Sequence, residues 1–212
     1  MNKGTGQPIS SDRAQEFFED LWARGDAWSL EESTFEHRKY DRQLALLEGR
    51  RYERALEIGC GSGQFTRRLA QIVTSVTGID VAPSAIIRAK TACAELPNTD
   101  FRVENVVEHD FRVDQPWDLL VMSETVYYLG WLYSFFDVVW LARELYTATK
   151  SGGIFLMTNT YGDFGDNLLL PWIIRSYRDC FLNVGYTIQA EEVFHGEKNR
   201  QELDALITVF KA

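Results

Sequence analysis

ALEIGCGSGQFT, residues 55–66, places an apolar run carrying one carboxylate, Glu57, directly before glycines at alternate positions, Gly59, Gly61 and Gly63. The apolar run predicts a strand over 54–58, and QFTRRLAQIV (64–73) predicts the helix that follows it. Glycine turns tightly and lets a ligand touch bare backbone. A helix start adds free N–H groups and partial positive charge. The stretch is therefore a candidate nucleotide loop. The dinucleotide fingerprint GxGxxG is not met: the sixth position counted from Gly59 is Gln64, and from Gly61 it is Thr66. The spacing is GxGxG.

Strands and helices alternate downstream. SVTGID (75–80) is a strand closing on Asp80, roughly 20 residues past the loop, where an acid accepts hydrogen bonds from both hydroxyls of a ribose. PSAIIRAKTACAE (83–95) is a helix with Pro83 in its first turn. DFRVEN (100–105) is a strand, and WDLLVMS (117–123) is a continuous apolar run typical of a central strand. WLYSFFDVVWLARELYTAT (131–149) reads as one long helix ended by KSGG, with Leu132, Phe135, Phe136 and Val139 on its buried face and Trp131 and Tyr133 outward. IFLMTN (154–159) is a strand. Residues 164–185 contain a helix with Pro171 inside it or at its start, and residues 186–212 read strand, turn, strand. Upstream, 12–24 and 35–48 show helical spacing, separated by the aperiodic GDAWSLEES. This order predicts an α/β fold with a mostly parallel seven-stranded sheet, a C-terminal antiparallel hairpin and helices on both faces.

The 212 residues suit one domain, and 45% apolar composition suits a full core. The net charge of −9 argues against nucleic-acid or anionic-membrane partners. Cys60, Cys93 and Cys180 are scattered without a CxxC, as in a reduced cytoplasmic protein. The polar amino terminus lacks the apolar core of a signal peptide. Val126 to Phe136 is too short for a membrane span. His37, His109 and His195 show no metal spacing, so no metal is expected. Residues 1–11 read as a flexible tail before a single domain, 12–212, divided into helices over 12–50, a nucleotide-binding core over 51–160 and a final helix and hairpin over 161–212.

The GxGxG loop with Glu57 ahead and Asp80 behind resembles class I S-adenosylmethionine (SAM) methyltransferases over about residues 54–160. The resemblance implies their Rossmann-like fold, with SAM as donor and S-adenosylhomocysteine (SAH) as product. It also implies that Gly59, Cys60, Gly61 and Gly63 pack on the donor, that Glu57 holds its ammonium and that Asp80 holds its ribose. Val81 lies on the adenine face. Asn105 with Val106 forms the adenine clamp, Asp110 competing if the third strand runs longer. Ser123 approaches the cofactor from the exit of the fourth strand.

A narrower resemblance rests on DAWSLEESTFEHRKYDRQL (26–44) and SETVYYLG (123–130), which are similar to the nodulation protein S family. Its founding members methylate a free amine on a chitin-derived oligosaccharide. That likeness implies a helical lid over 12–50, with Trp28 and Tyr40 closing on the cofactor and Arg38 or Lys39 pairing with its carboxylate. Glu124, Tyr127 and Tyr128 are the candidate catalytic residues. An amine acceptor needs only alignment and a carboxylate, from Glu124, Asp163, Glu191 or Glu192. A hydroxyl acceptor needs a base, for which His109 and His195 are candidates. The expected function is N-methylation of a small acceptor, an amino sugar or oligosaccharide, by a monomer or homodimer. O-methylation of a sugar or secondary-metabolite hydroxyl and non-catalytic SAM binding are the alternatives. An NAD-dependent oxidoreductase is disfavoured by the loop spacing.

Overall fold

The computed structural model describes residues 11–111, 115–162 and 169–212. Most of the expected tail, and Asp163, lie outside them. Two helices, α1 (Ser11–Ala23) and α2 (Thr34–Leu47), precede β1 (Tyr52–Ile58). Then follow α3 (Thr66–Leu69), β2 (Val73–Asp80), α4 (Pro83–Ala92), β3 (Thr99–Val103) and β4 (Trp117–Ser123). The rest is α5 (Val126–Leu132), α6 (Phe135–Ala148), β5 (Thr149–Tyr161), α7 (Pro171–Val184), β6 (Thr187–Lys198) and β7 (Gln201–Lys211).

The strands form one seven-stranded sheet in the order β3-β2-β1-β4-β5-β7-β6, the expected fold. The first five strands are parallel, and β7 runs antiparallel to both β5 and β6. Alternate side chains separate two cores. Leu56, Ile58, Leu120, Met122, Phe155 and Met157 bury with residues of α5, α6 and α7. Ala55, Leu119, Val121, Ile154 and Leu156 bury under Tyr40 and Leu47 of α2 and Leu69 of α3. The order reverses between β1 and β4, where neighbouring chains leave the sheet in opposite senses and open a crevice at their carboxyl ends.

Two helices differ from the sequence reading. The helix expected over 64–73 is only α3, Thr66–Leu69. Val73 is claimed by β2, opposite Tyr52. The carbonyls of Ala70 and Val73 accept hydrogen bonds from the Asn98 amide at 2.8 and 3.2 Å, a distant side chain that ends the turn. The long helix expected over 131–149 is split into α5 and α6. Ser134 caps α6, its hydroxyl accepting from Asp137 N at 3.2 Å while Asp137 accepts from Ser134 N at 3.1 Å, a capping box. The break turns α6 about its axis. Phe135 and Phe136, expected inside, are 62% and 56% exposed, and Val138, Leu141 and Leu145 form the buried face. Tyr133, expected outward, is buried, while Trp131 is exposed as expected. β5 also starts earlier than expected, running through KSGG. Among the described residues, no helix is long and apolar enough to cross a membrane.

Replacing Ser134 with Ala removes the side-chain half of the capping box. We expect a loss of about 1 kcal/mol in urea unfolding, with an unchanged m-value.

Candidate functional site

A cavity of about 380 Å³ occupies the crevice at the carboxyl ends of β1, β2 and β4, a size that suits a small-molecule site. Its floor is the loop after β1. Gly59, Gly61 and Gly63 take φ of +73°, +51° and +77°, a region that side chains disfavour. Each glycine is overlain by a different element. A Cβ on Gly59 would meet the Thr125 hydroxyl at 2.4 Å, on Gly61 the Trp22 ring at 2.8 Å, and on Gly63 the Ala89 backbone at 3.0 Å. Gly59 and Gly61 line the cavity with Cys60; Gly63 does not, and serves to seat α4. The following helix is four residues long, so bare loop backbone takes the part expected of a helix terminus.

Asp80 ends β2 and fixes the loop. Its two oxygens accept from Gly61 N and Ala82 N, both at 2.9 Å. Each retains a further lone-pair site. Burial pushes the Asp80 carboxyl up to about 6 against these hydrogen bonds. Glu57 is buried on β1 and accepts from the Thr66 hydroxyl. Burial pushes it up to about 8, with the Asp80 charge adding to the shift. At neutral pH Glu57 is therefore largely a neutral acid beside the cavity. The Ser123 hydroxyl also faces this region and, though its oxygen is buried, has no partner among the described residues.

Val81, Asn105 and Val106 line one end. The Asn105 amide donates to the Tyr133 hydroxyl at 2.8 Å and its oxygen accepts from Val107 N at 3.2 Å, which fixes the amide orientation. At the opposite end stand Glu124, Tyr127 and Tyr128. Glu124 has φ +58° and is held by protein donors. One oxygen accepts from Lys39 Nζ at 2.6 Å and the Thr160 hydroxyl at 2.7 Å; the other accepts from Thr160 N at 2.8 Å and the Tyr127 hydroxyl at 3.3 Å. Burial, then the Glu124 charge, hold the Tyr127 phenol well above its ordinary range, so it donates. Burial would pull fully buried Lys39 down, but Glu124 and Glu36 outweigh it and raise its pKa.

The remaining expectations separate cleanly. Trp28 and Tyr40 line the cavity. Lys39 turns to Glu36 and Glu124, and Arg38 lies over the Phe194 ring. His109 is absent from the cavity lining; it pairs with Glu104 and meets the Phe111 ring edge-on. His195 bonds Asp204 at 2.6 Å on the outer hairpin. Glu191 is bound to Arg178 and Glu192 to Arg42. Glu36, Thr160 and Lys198 also line the cavity, although the sequence reading gives them no part in the site. Among the described residues, no group of three His, Cys, Asp or Glu side chains is placed to hold a metal ion.

Residues 10–136 match the family model described as Nodulation protein S (NodS). The Nodulation protein S of Sinorhizobium fredii (strain NBRC 101917 / NGR234) is 36% identical over 108 residues, 50% of this chain and 49% of that protein. A Ubiquinone biosynthesis O-methyltransferase of Methylobacterium sp. (strain 4-46) is 30% identical over 134 residues, 58% of this chain and 51% of that protein. The chain thus spans about half the length of these curated relatives. The crystal structure of N-methyltransferase NodS from Bradyrhizobium japonicum WM9 in complex with S-adenosyl-l-homocysteine is similar with a TM-score of 0.77 at 22% identity, over 93% of this chain and 97% of that one. At that identity the likeness establishes the fold.

Glu57 makes the ligand-free chain pH-sensitive. Its folded pKa of about 8 lies above the ordinary 4.5, so the fold holds a proton that the unfolded chain releases between those values. Stability from this group is therefore greatest below pH 4.5 and falls as pH rises to about 8. Glu57→Gln removes that dependence. We expect it to be more stable than the parent at pH 8 by on the order of 3 kcal/mol, with the gap closing by pH 5 in thermal melts. A pH-independent gap contradicts this assignment.

Proposed function

We propose that this chain, which belongs to the nodulation protein S family, transfers the methyl group of SAM to the nitrogen of a small-molecule amine. The observation that carries the reading is the make-up of the wall formed by Glu124, Tyr127 and Tyr128. Among the described residues no histidine lines the cavity; of its carboxylates, Glu36 and Glu124 are ion-paired with Lys39, Glu104 pairs with His109, and Glu57 and Asp80 sit at the glycine loop away from this wall. A hydroxyl acceptor has to give up its proton to a base. An amine of moderate basicity already presents a lone pair at neutral pH.

The residues fit SAM. The glycine cradle admits backbone contact, and the protonated Glu57 becomes a carboxylate beside an ammonium group. Asp80 keeps two lone-pair sites for the ribose hydroxyls. Val81 and Val106 flank the adenine, and the Ser123 hydroxyl offers a hydrogen bond that the protein leaves unused. Bound there, SAM supplies an electrophilic methyl group on a sulfonium that leaves as a neutral thioether. The chain's own work is alignment and water exclusion. Tyr127 and Tyr128, with rings 4.5 Å apart, give the acceptor an aromatic wall, and Glu124 sets the Tyr127 hydroxyl. Phe18, Trp22 and Trp28 cover the other side as a lid. We assign the acceptor to the amino sugars or their oligosaccharides, supported by the family and by an acidic chain that attracts cationic substrates.

The likeness to an O-methyltransferase relative favours a second reading, transfer to a hydroxyl. The two are separated by incubating the protein with methyl-labelled SAM and paired acceptors, read by mass. We expect methylation of free amino sugars and none of their N-acetylated forms. Turnover of hydroxylated glycosides without amines overturns the first reading, and no transfer to any acceptor leaves SAM binding alone. Because His109 lies off the cavity, His109→Ala should keep kcat within about twofold of the parent. A large loss restores it as a base.

A further inference from the structure

Lys198 reaches the cavity from the far edge of the sheet. It ends β6, and Asn199 and Arg200, at φ +54° and +65°, form the two-residue loop that returns the chain to Gln201 of β7. Two left-handed residues make the primed turn that suits a hairpin; Asn tolerates it, whereas Arg is strained there. The hairpin is seated on α2. The Phe35 ring lies where a Cβ on Gly196 would come within 2.6 Å, and Arg42 grips Glu192 through two hydrogen bonds of 2.6 Å.

From this tip, Lys198 Nζ donates to the Trp28 carbonyl and to Glu36 Oε1, each at 2.7 Å. Trp28 lies midway along the connector between α1 and α2. That connector and the end of α1 together cover the glycine loop: a Cβ on Gly61 would meet Trp22 of α1 at 2.8 Å and Leu30 of the connector at 3.7 Å. Lys198 therefore ties the connector, the start of α2 and the hairpin together at the cavity edge. Beyond Glu36, Lys39 lies 2.8 Å from its second oxygen and 2.6 Å from Glu124. Charges alternate along this path, Lys198, Glu36, Lys39, Glu124. Its inner lysine has no exposed side-chain area, whereas Lys198 retains 18%. Removing Lys39 would take the ion-pair partner from the Glu124 carboxylate. Removing Lys198 leaves Glu36 still paired, so the outer end can be released without burying an uncompensated charge.

We propose that Lys198 is a positioning residue that latches the 24–33 connector closed over the bound methyl donor. The latch is a feature of this chain's hairpin, outside the 10–136 span of the family match. The identity of the occupant rests on the reading under Proposed function. The latch itself is tested without ligand. In Lys198→Met, hydrogen exchange across 26–33 should quicken about tenfold or more, the scale of charge-assisted hydrogen bonds, while β1, β4 and β5 keep their protection. SAH release, followed by tryptophan fluorescence, should quicken to a similar degree, with the acceptor KM unchanged. Lys198→Arg should recover most of both effects, and Lys198→Gln serves if the Met variant does not fold. Parental exchange across 26–33 in the variant overturns the latch. So does unchanged SAH release with a raised acceptor KM, which would make Lys198 an acceptor contact. If the parent protein fails to bind SAH, the donor assignment falls, while the exchange comparison still decides the latch.

Discussion

The loop after β1 has no room for side chains at its glycines, and the site is arranged around that constraint. Thr125 presses on Gly59, Trp22 on Gly61 and Ala89 on Gly63. The strand-4 exit, the amino-terminal helices and α4 can approach one another only because these three positions lack a Cβ and take left-handed backbone. Asp80 then locks the loop to the end of β2 through the Gly61 amide. Sheet topology creates the crevice, and the glycines allow it to be walled closely on three sides.

The electrostatics divide into two parts with different logic. Around Glu124 the buried charges are already matched: Glu36 and Glu124 are each paired, and Lys39 is held charged between them. That part is a finished internal network, suited to rigidity. Around Glu57 the acid stays protonated for want of a partner cation among the described residues. Pushed up to about 8, it has the Thr66 hydroxyl and the Asp80 carboxylate beside it. A cationic group entering there would relieve the burial cost that keeps Glu57 protonated. The cavity thus prefers positive charge at its β1 end and offers aromatic faces and hydroxyls at its β4 end.

Much of this was legible in the residues. The glycine spacing, Glu57 and Asp80 belong to one short strand–loop–strand unit whose geometry is local, so their convergence could be read directly. The capping box at Ser134 is equally local, yet the continuous apolar run across it suggests a single helix and so puts Phe135 and Phe136 on the wrong face. α3 reads too long from its own residues because Asn98, some distance along the chain, ends it. His109 reads as a candidate base because the sequence of the loop after β3 hides which way its residues turn. Lys198 and Thr160 carry no motif. They reach the cavity through the β5–β7–β6 pairing and the seat of the hairpin on α2, long-range contacts that no nearby residues announce.

The central claim is that the β1 loop with Glu57 and Asp80 receives a cationic methyl donor, and one titration tests it directly. Calorimetry of SAH binding near pH 7, repeated in buffers of different ionisation heat, measures affinity and proton release together. The account predicts one site per chain and net release of protons to the buffer as Glu57 ionises beside the ligand ammonium. Absence of SAH binding, or binding of NAD in its place, would contradict it.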